Sequence, residues 1–284
     1  MKKRFFTWIL TILAIVPVFG QQSLTSETEN NMDRIELCKK NYTRLFGGEA
    51  LTGEGNDPEM MDILQKYIFG EVFRAGKLDI RIREMITCVS LTAMQTLPQL
   101  KAHAGAALNV GVTPIELREA IYQCAPIIGF PKVLNALSVI NAVFTEKGIQ
   151  LPLAQQKTVT ENNRREKGRA IESHLYGENI RVAMQELPGG MEEEVTRFLT
   201  EVHFGDFQSR SGLDTQTREL LTFCVLTTIG AEDQLHLHLR ANLKAGNSRE
   251  ILTAAVIQTL PYIGFPPALK ALKIIKETDE VSEK

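Results

Sequence analysis

Apolar residues recur at helical spacing along most of the chain, and no β-branched, strictly alternating run long enough for a strand interrupts them. The stretch 82–94 carries its apolar side chains on such a period, and 217–229 repeats it. A second helix is expected over 99–110, and its counterpart over 233–245. Asp79 and Asp214 stand ahead of the first pair, where a carboxylate accepts hydrogen bonds from the free N–H groups of an opening turn. Gly111 and Gly246 follow the second pair and suit left-handed helix ends. Thr113 and Ser248 then cap a further helix, expected to stop near Pro126 and Pro261. Gly129-Phe130-Pro131 and Gly264-Phe265-Pro266 form a corner from which a last long helix departs. The expected fold class is all-α.

These pairs are one unit written twice. Shifted by 135 residues, Leu78–Ile140 lies on Leu213–Ile275 without a gap, with 25 of 63 positions identical. Upstream, Phe69-Gly70 keeps that offset against Phe204-Gly205, whereas Leu45-Phe46-Gly47 matches Leu175-Tyr176-Gly177 at an offset of 130. A five-residue insertion is therefore expected, in the glycine-rich stretch 47–57 of the first copy. The copies are placed at 41–150 and 167–277, with a polar connection at 151–166, an N-terminal segment at 21–40 and a tail at 278–284. Short helices leave wide apolar faces, so the two copies are expected to pack on each other as a pseudo-dimer. Further association is expected to give a trimer of two-copy chains.

Composition narrows the class. Lys2, Lys3 and Arg4 precede an apolar run from Phe5 to Val16, and Pro17-Val18-Phe19-Gly20 leads into polar sequence. That order is the layout of a secretory signal, with cleavage expected after Gly20 and a periplasmic or secreted product. The run is shorter than the roughly 20 residues a spanning helix needs, so no membrane association is expected after cleavage. The formal net charge of −2, with no long Lys/Arg cluster, excludes an electrostatic footprint for nucleic acid. Cys38, Cys88, Cys124 and Cys224 show neither a C-x-x-C nor a metal-ligand spacing, and buried free thiols are expected.

The string Arg218-Glu219-Leu220-Leu221-Thr222, followed by Gly230-Ala231-Glu232-Asp233-Gln234-Leu235-His236-Leu237-His238-Leu239-Arg240-Ala241, resembles the core of the carboxymuconolactone decarboxylase family. Gly246 and Tyr262-Ile263-Gly264-Phe265-Pro266 continue the likeness. The resemblance implies two tandem copies of the helical module shared with alkyl hydroperoxide reductase D-like proteins. In the peroxidases of that superfamily, a Glu is followed by Cys at twelve and fifteen residues and His at nineteen. Here Glu84 and His103, and Glu219 and His238, keep the acid and the imidazole. Thr96 and Gln99, and Ala231 and Gln234, stand where the cysteines would be. Peroxide reduction needs a thiolate at the site, so that mechanism is not expected.

What remains suits proton transfer. Histidine titrates near neutrality, and a neighbouring carboxylate can orient it. His238 and Glu219 are the leading catalytic candidates, with His103 and Glu84 as their counterparts. The resemblance implies a small acid or lactone as substrate, with Arg240 or Arg218 clamping its carboxylate and Gln234, His236 and Phe265 as further binding residues. It implies no cofactor. His236 and His238, two apart, point to different helix faces and make poor joint metal ligands. His174 and His203 have no counterpart in the first copy and are expected at the surface. A non-catalytic binding or scaffolding protein is the competing expectation, and a thiol-based antioxidant a weaker one.

Overall fold

In the computed structural model, which describes residues 33–178 and 182–277, local capping chemistry sets the helix boundaries. The expected export signal and the tail at 278–284 lie outside the described residues. Asp33 opens α1 (Arg34–Phe46), its carboxylate accepting from the Ile35 and Glu36 amides at 2.8 and 2.9 Å. Next come α2 (Pro58–Gln65), a π-helical turn (Lys66–Glu71), α3 (Ile80–Met94), α4 (Leu97–Asn109), α5 (Pro114–Tyr122) and α6 (Phe130–Glu146). The second copy repeats the order: α7 (Arg164–Tyr176), α8 (Glu192–Phe198) with a π-helical run (Leu199–Gln208), α9 (Thr215–Ile229), α10 (Glu232–Lys244), α11 (Arg249–Ile263) and α12 (Phe265–Glu277). No strand occurs among the described residues.

The expected caps are in place. Asp79 accepts from the Arg81 amide at 2.8 Å and Asp214 from the Thr217 amide at 2.7 Å. Thr113 forms a capping box with Glu116, and Ser248 accepts from the Ile251 amide. Gly111 and Gly246 take φ of 95° and 96°, conformations that cost an L-residue dearly. Two expectations need correcting. Pro261 does not end its helix, because α11 continues through it to Ile263. The loss of one amide bond there is tolerated with buried Gln258 and Thr259 in the preceding turn, whereas in the first copy α5 stops at Tyr122. The five extra residues lie in the second copy, between α7 and α8, and the glycines of 47–57 mark an ordinary short connection.

One core serves both copies. Helices α3 and α9 pack on each other, α11 lies against α3, and Ile86, Val89, Leu221 and Val225 fall in one buried cluster with Leu100 and Leu235. Each copy's outer helix docks over a smaller cluster: Cys38, Leu45 and Phe69 under α1, and Leu175, Tyr176 and Phe204 at α7. Glycine permits the second docking. A Cβ on Gly168 would lie 2.0 Å from the Thr200 carbonyl oxygen, so α7 reaches the π-helical run only without a side chain there.

Polar groups also cross between copies. The Arg83 guanidinium donates to Gln258 at 3.0 Å, and by the internal pseudo-symmetry Arg218 donates to Gln123 at 3.4 Å. The second link carries more charge. Glu119, fully buried, accepts from Arg210 at 2.7 and 3.0 Å and lies 3.4 Å from Arg218 and 3.3 Å from Arg118. Ala254 takes the place of Glu119 in the repeat, so this cluster has no counterpart.

Candidate active site

Gly230, at φ 69°, ends α9 and turns the chain directly into α10. The turn brings Glu219 of α9 against His238 of α10. Glu219 Oε2 lies 3.1 Å from His238 Nδ1, and the carboxylate is sealed from solvent. From α7, the Tyr176 hydroxyl reaches both groups, donating to Glu219 Oε2 at 2.8 Å and lying 2.9 Å from His238 Nδ1. An ionised carboxylate only accepts and the phenol has a single proton to give, so the ring proton belongs on Nδ1. His238 Nε2 is then the ring nitrogen left to meet a ligand. Asn242, one turn further along α10, donates to the backbone carbonyls of Glu219 and His238 at 3.0 and 2.8 Å and ties the two helices together.

His238 opens on a cavity of about 690 Å³ between the copies. Pro126 and Ile127 of the first copy form part of its wall, facing Leu199, Phe204, Leu226 and Leu237 of the second. Its polar groups are Tyr176, His203, His238, Gln234, Asp233 and Arg240. Among the described residues Arg240 forms no ion pair, and its side chain is exposed. A mostly apolar hollow with a few convergent polar groups is the usual build of a small-molecule site.

The electrostatics divide these groups. Burial first, and then the nearby Glu219 charge, hold the Tyr176 hydroxyl well above its ordinary range, so it acts as a neutral donor. Burial, helped by His238 and opposed by Glu219, pulls His203 down to about 4. His203 is therefore a neutral imidazole at pH 7. The four thiols are buried and unbridged, and burial pushes each one up, away from the thiolate form.

The first copy keeps the pair. His103 Nδ1 lies 2.8 Å from Glu84 Oε2, its imidazole as nearly buried as that of His238, and neither residue lines the cavity on which His238 opens. Phe46 stands where the second copy has Tyr176, and Tyr262 where the first copy's own helix supplies Ile127 to the other site. Both rings close on His103, each with its centroid 5.6 Å away and edge-on.

The structure thus gathers His238, Gln234 and Arg240 at one cavity, with Glu219 buried behind His238, and sets other candidates apart. Arg218 cannot clamp a ligand: it is buried and donates to the Arg210 and Ser211 carbonyls at 2.9 and 3.2 Å, facing the other copy. Adjacent helical residues point about 100° apart, so Glu219 faces His238 only by turning Arg218 away. His236 is exposed on another face of α10, and Phe265 is 58% exposed at the start of α12, outside the cavity wall. His203 is not a surface residue, because the π-helical run turns it inward against Phe204, 4.6 Å between ring centroids. His174 is exposed. Tyr176 escaped the sequence reading, although the match of Leu175-Tyr176-Gly177 to Leu45-Phe46-Gly47 signalled a hydroxyl gained in one copy. Among the described residues no group of three or more His, Cys, Asp or Glu is placed to hold a metal ion.

Fold and site together define a duplicated helical module that keeps a buried carboxylate–imidazole pair in each copy and opens one of them to a cavity. The chain belongs to the carboxymuconolactone decarboxylase family, which matches it twice, over residues 58–142 and 193–277. It is similar to the 4-carboxymuconolactone decarboxylase of Acinetobacter baylyi, 27% identical over 120 residues, covering 42% of this chain and 89% of that enzyme. It is also similar to the nitrosuccinic acid decarboxylase of Metarhizium robertsii, 28% identical over 85 residues, covering 30% of this chain and 59% of the relative. A solved structure from Burkholderia xenovorans, described as a gamma-carboxymuconolactone decarboxylase subunit, aligns at a TM-score of 0.47 and 20% identity over 86% of this chain and 92% of that one.

Proposed function

We propose that the second copy is a cofactor-free decarboxylase site for a small conjugated acid or lactone, with His238 as the proton carrier. The observation that carries this reading is the cavity itself: the imidazole backed by Glu219 lines it, together with Arg240, Gln234 and mostly apolar surface. Arg240 would hold a carboxylate by charge-assisted hydrogen bonds. Apolar surroundings favour loss of charge from the reacting carboxylate, as carbon dioxide leaves and its bonding electrons move into a conjugated carbonyl or alkene. Protonated at Nε2, His238 would then give that proton to the resulting carbon centre and regain one from water. The buried Glu219 charge stabilises the imidazolium between those steps. The names of two relatives, which act on a carboxylated lactone and a nitro-substituted acid, fit this class of substrate.

The test is carbon dioxide release from a panel of conjugated acids and lactones that includes 4-carboxymuconolactone and nitrosuccinate. Arg240→Ala should raise KM for the acid by roughly ten- to a hundredfold, the worth of a hydrogen bond to a charged group, with a smaller change in kcat. Release from none of the panel would remove the reaction, and an unchanged KM would remove Arg240 as the clamp.

We also propose assembly into a trimer of two-copy chains. Phe130 and Leu134 on α6 and their repeats Phe265 and Leu269 on α12 are 55%, 62%, 58% and 56% exposed, so both copies present the same uncovered apolar positions. Sedimentation equilibrium should return about three chain masses; a single chain mass at micromolar concentration would contradict it.

A further inference from the structure

Several exchanges set the two carboxylate–imidazole pairs apart, among them Phe46 for Tyr176, Ile68 for His203, Tyr262 for Ile127 and Ala107 for Asn242. Of these, Tyr176 puts a side-chain donor on the carboxylate itself. In the first copy the carboxylate has His103 alone as hydrogen-bond partner among the described residues, at 2.8 Å; in the second the Tyr176 hydroxyl enters beside the pair and the separation is 3.1 Å. We infer that Tyr176 is a positioning residue that shares the Glu219 carboxylate with His238, loosening the hold of the pair on its proton so that His238 can exchange it with a ligand. The inference deepens the decarboxylase reading and rests on it for its functional meaning, but its physical content stands without a substrate.

The reasoning is that of a carboxylate with competing donors. Glu219 Oε2 accepts from both Tyr176 and His238, while its other oxygen, Oε1, is buried with no protein partner among the described residues. A donated hydrogen bond stabilises the carboxylate and lowers its basicity. A carboxylate stabilised in this way holds the imidazole proton less firmly. Every other ionisable group at the cavity leaves this unit in place. His203, on the π-helical run, is held neutral by burial, and Arg240 and Asp233 lie on exposed stretches of α10. In the first copy no hydroxyl donates to the carboxylate: the buried Tyr262 phenol feels the Glu84 charge but forms no hydrogen bond to it. The Glu84–His103 pair, closed over by Phe46 and Tyr262, remains an internal link between α3 and α4.

The experiment follows the ring nitrogens of His238 and His103 by NMR as a function of pH, in the ligand-free protein labelled with 15N histidine and assigned through His→Asn variants. Tyr176→Phe should keep the helical circular dichroism and move the His238 titration to higher pH by several tenths of a unit. The reciprocal Phe46→Tyr should move His103 to lower pH, and it decides the question by itself if Tyr176→Phe does not fold. On any substrate turned over, Tyr176→Phe should shift the alkaline limb of the kcat profile, where activity falls as His238 loses its proton, upward in pH, where a merely structural loss would scale the whole profile. A His238 titration identical in Tyr176→Phe and the parent protein, or an unmoved His103 in Phe46→Tyr, would overturn the inference. Failure of the decarboxylase reading shows separately, as turnover that survives removal of His238.

Discussion

Replacing His238 by alanine should lower turnover of any substrate by roughly 10²–10⁴-fold and leave the helices standing. The size follows from the role. General acid–base catalysis by a placed side chain contributes that range, and the neighbouring polar groups cannot take over. His203 lies at the same cavity, but burial keeps it neutral at the pH where the proton must be supplied. The Tyr176 hydroxyl is held well above its ordinary range and does not give up its proton there. The structural cost of the substitution is small by comparison, because the ring borders a cavity and α10 retains its Asn242 ties to the Glu219 and His238 carbonyls, the latter now that of alanine. Carbon dioxide release and circular dichroism on the same sample separate the two effects. Turnover within threefold of the parent would exclude His238 from the chemistry.

Glu119→Ala should cost about 3–5 kcal/mol of stability, the usual price of leaving buried charge uncompensated. The carboxylate is fully buried and is approached by Arg210, Arg218 and Arg118, of which Arg218 is itself 1% exposed. Desolvation already pulls the Arg218 guanidinium below its ordinary range, and Glu119 is the first group opposing that pull. Removing the carboxylate leaves Arg218 with backbone carbonyls, Gln123 and only the weaker pull of Asp214. Arg83 marks the endpoint: with Ala254 in the equivalent place it survives on neutral acceptors, and burial holds it down at about 10. Denaturant unfolding at fixed pH measures the loss. A change below about 1 kcal/mol would mean that water or a shifted side chain reaches Arg218.

Much of this architecture was legible because its signals are local or repeated. Asp79, Asp214, Thr113 and Ser248 act within three residues of themselves, so the caps and the helices behind them could be read directly. Glu219 and His238 could be paired because the same interval recurs at Glu84 and His103. The misread residues depend on rotation about a helix or on contact across the repeat. Arg218 follows from being one residue away from Glu219, His203 from the wider turn of a π-helix, and the sealing of His103 from a ring supplied by the other half of the chain. Only the first of these follows from a period of 3.6, once Glu219 is set against His238. The glycine-rich stretch 47–57 misled in a different way, since its composition marked a turn but said nothing about which copy had grown.

The cavity wall formed by Pro126 and Ile127, and the ring that Tyr262 lays on His103, cross-wire the two halves of the gene. Each half lends residues to the surroundings of the other's imidazole, so neither could be expressed alone with those surroundings intact. Codons in the first half therefore set the shape that a ligand of the second half must match. A library intended to change ligand preference should diversify positions 126 and 127 before any residue nearer in sequence to His238.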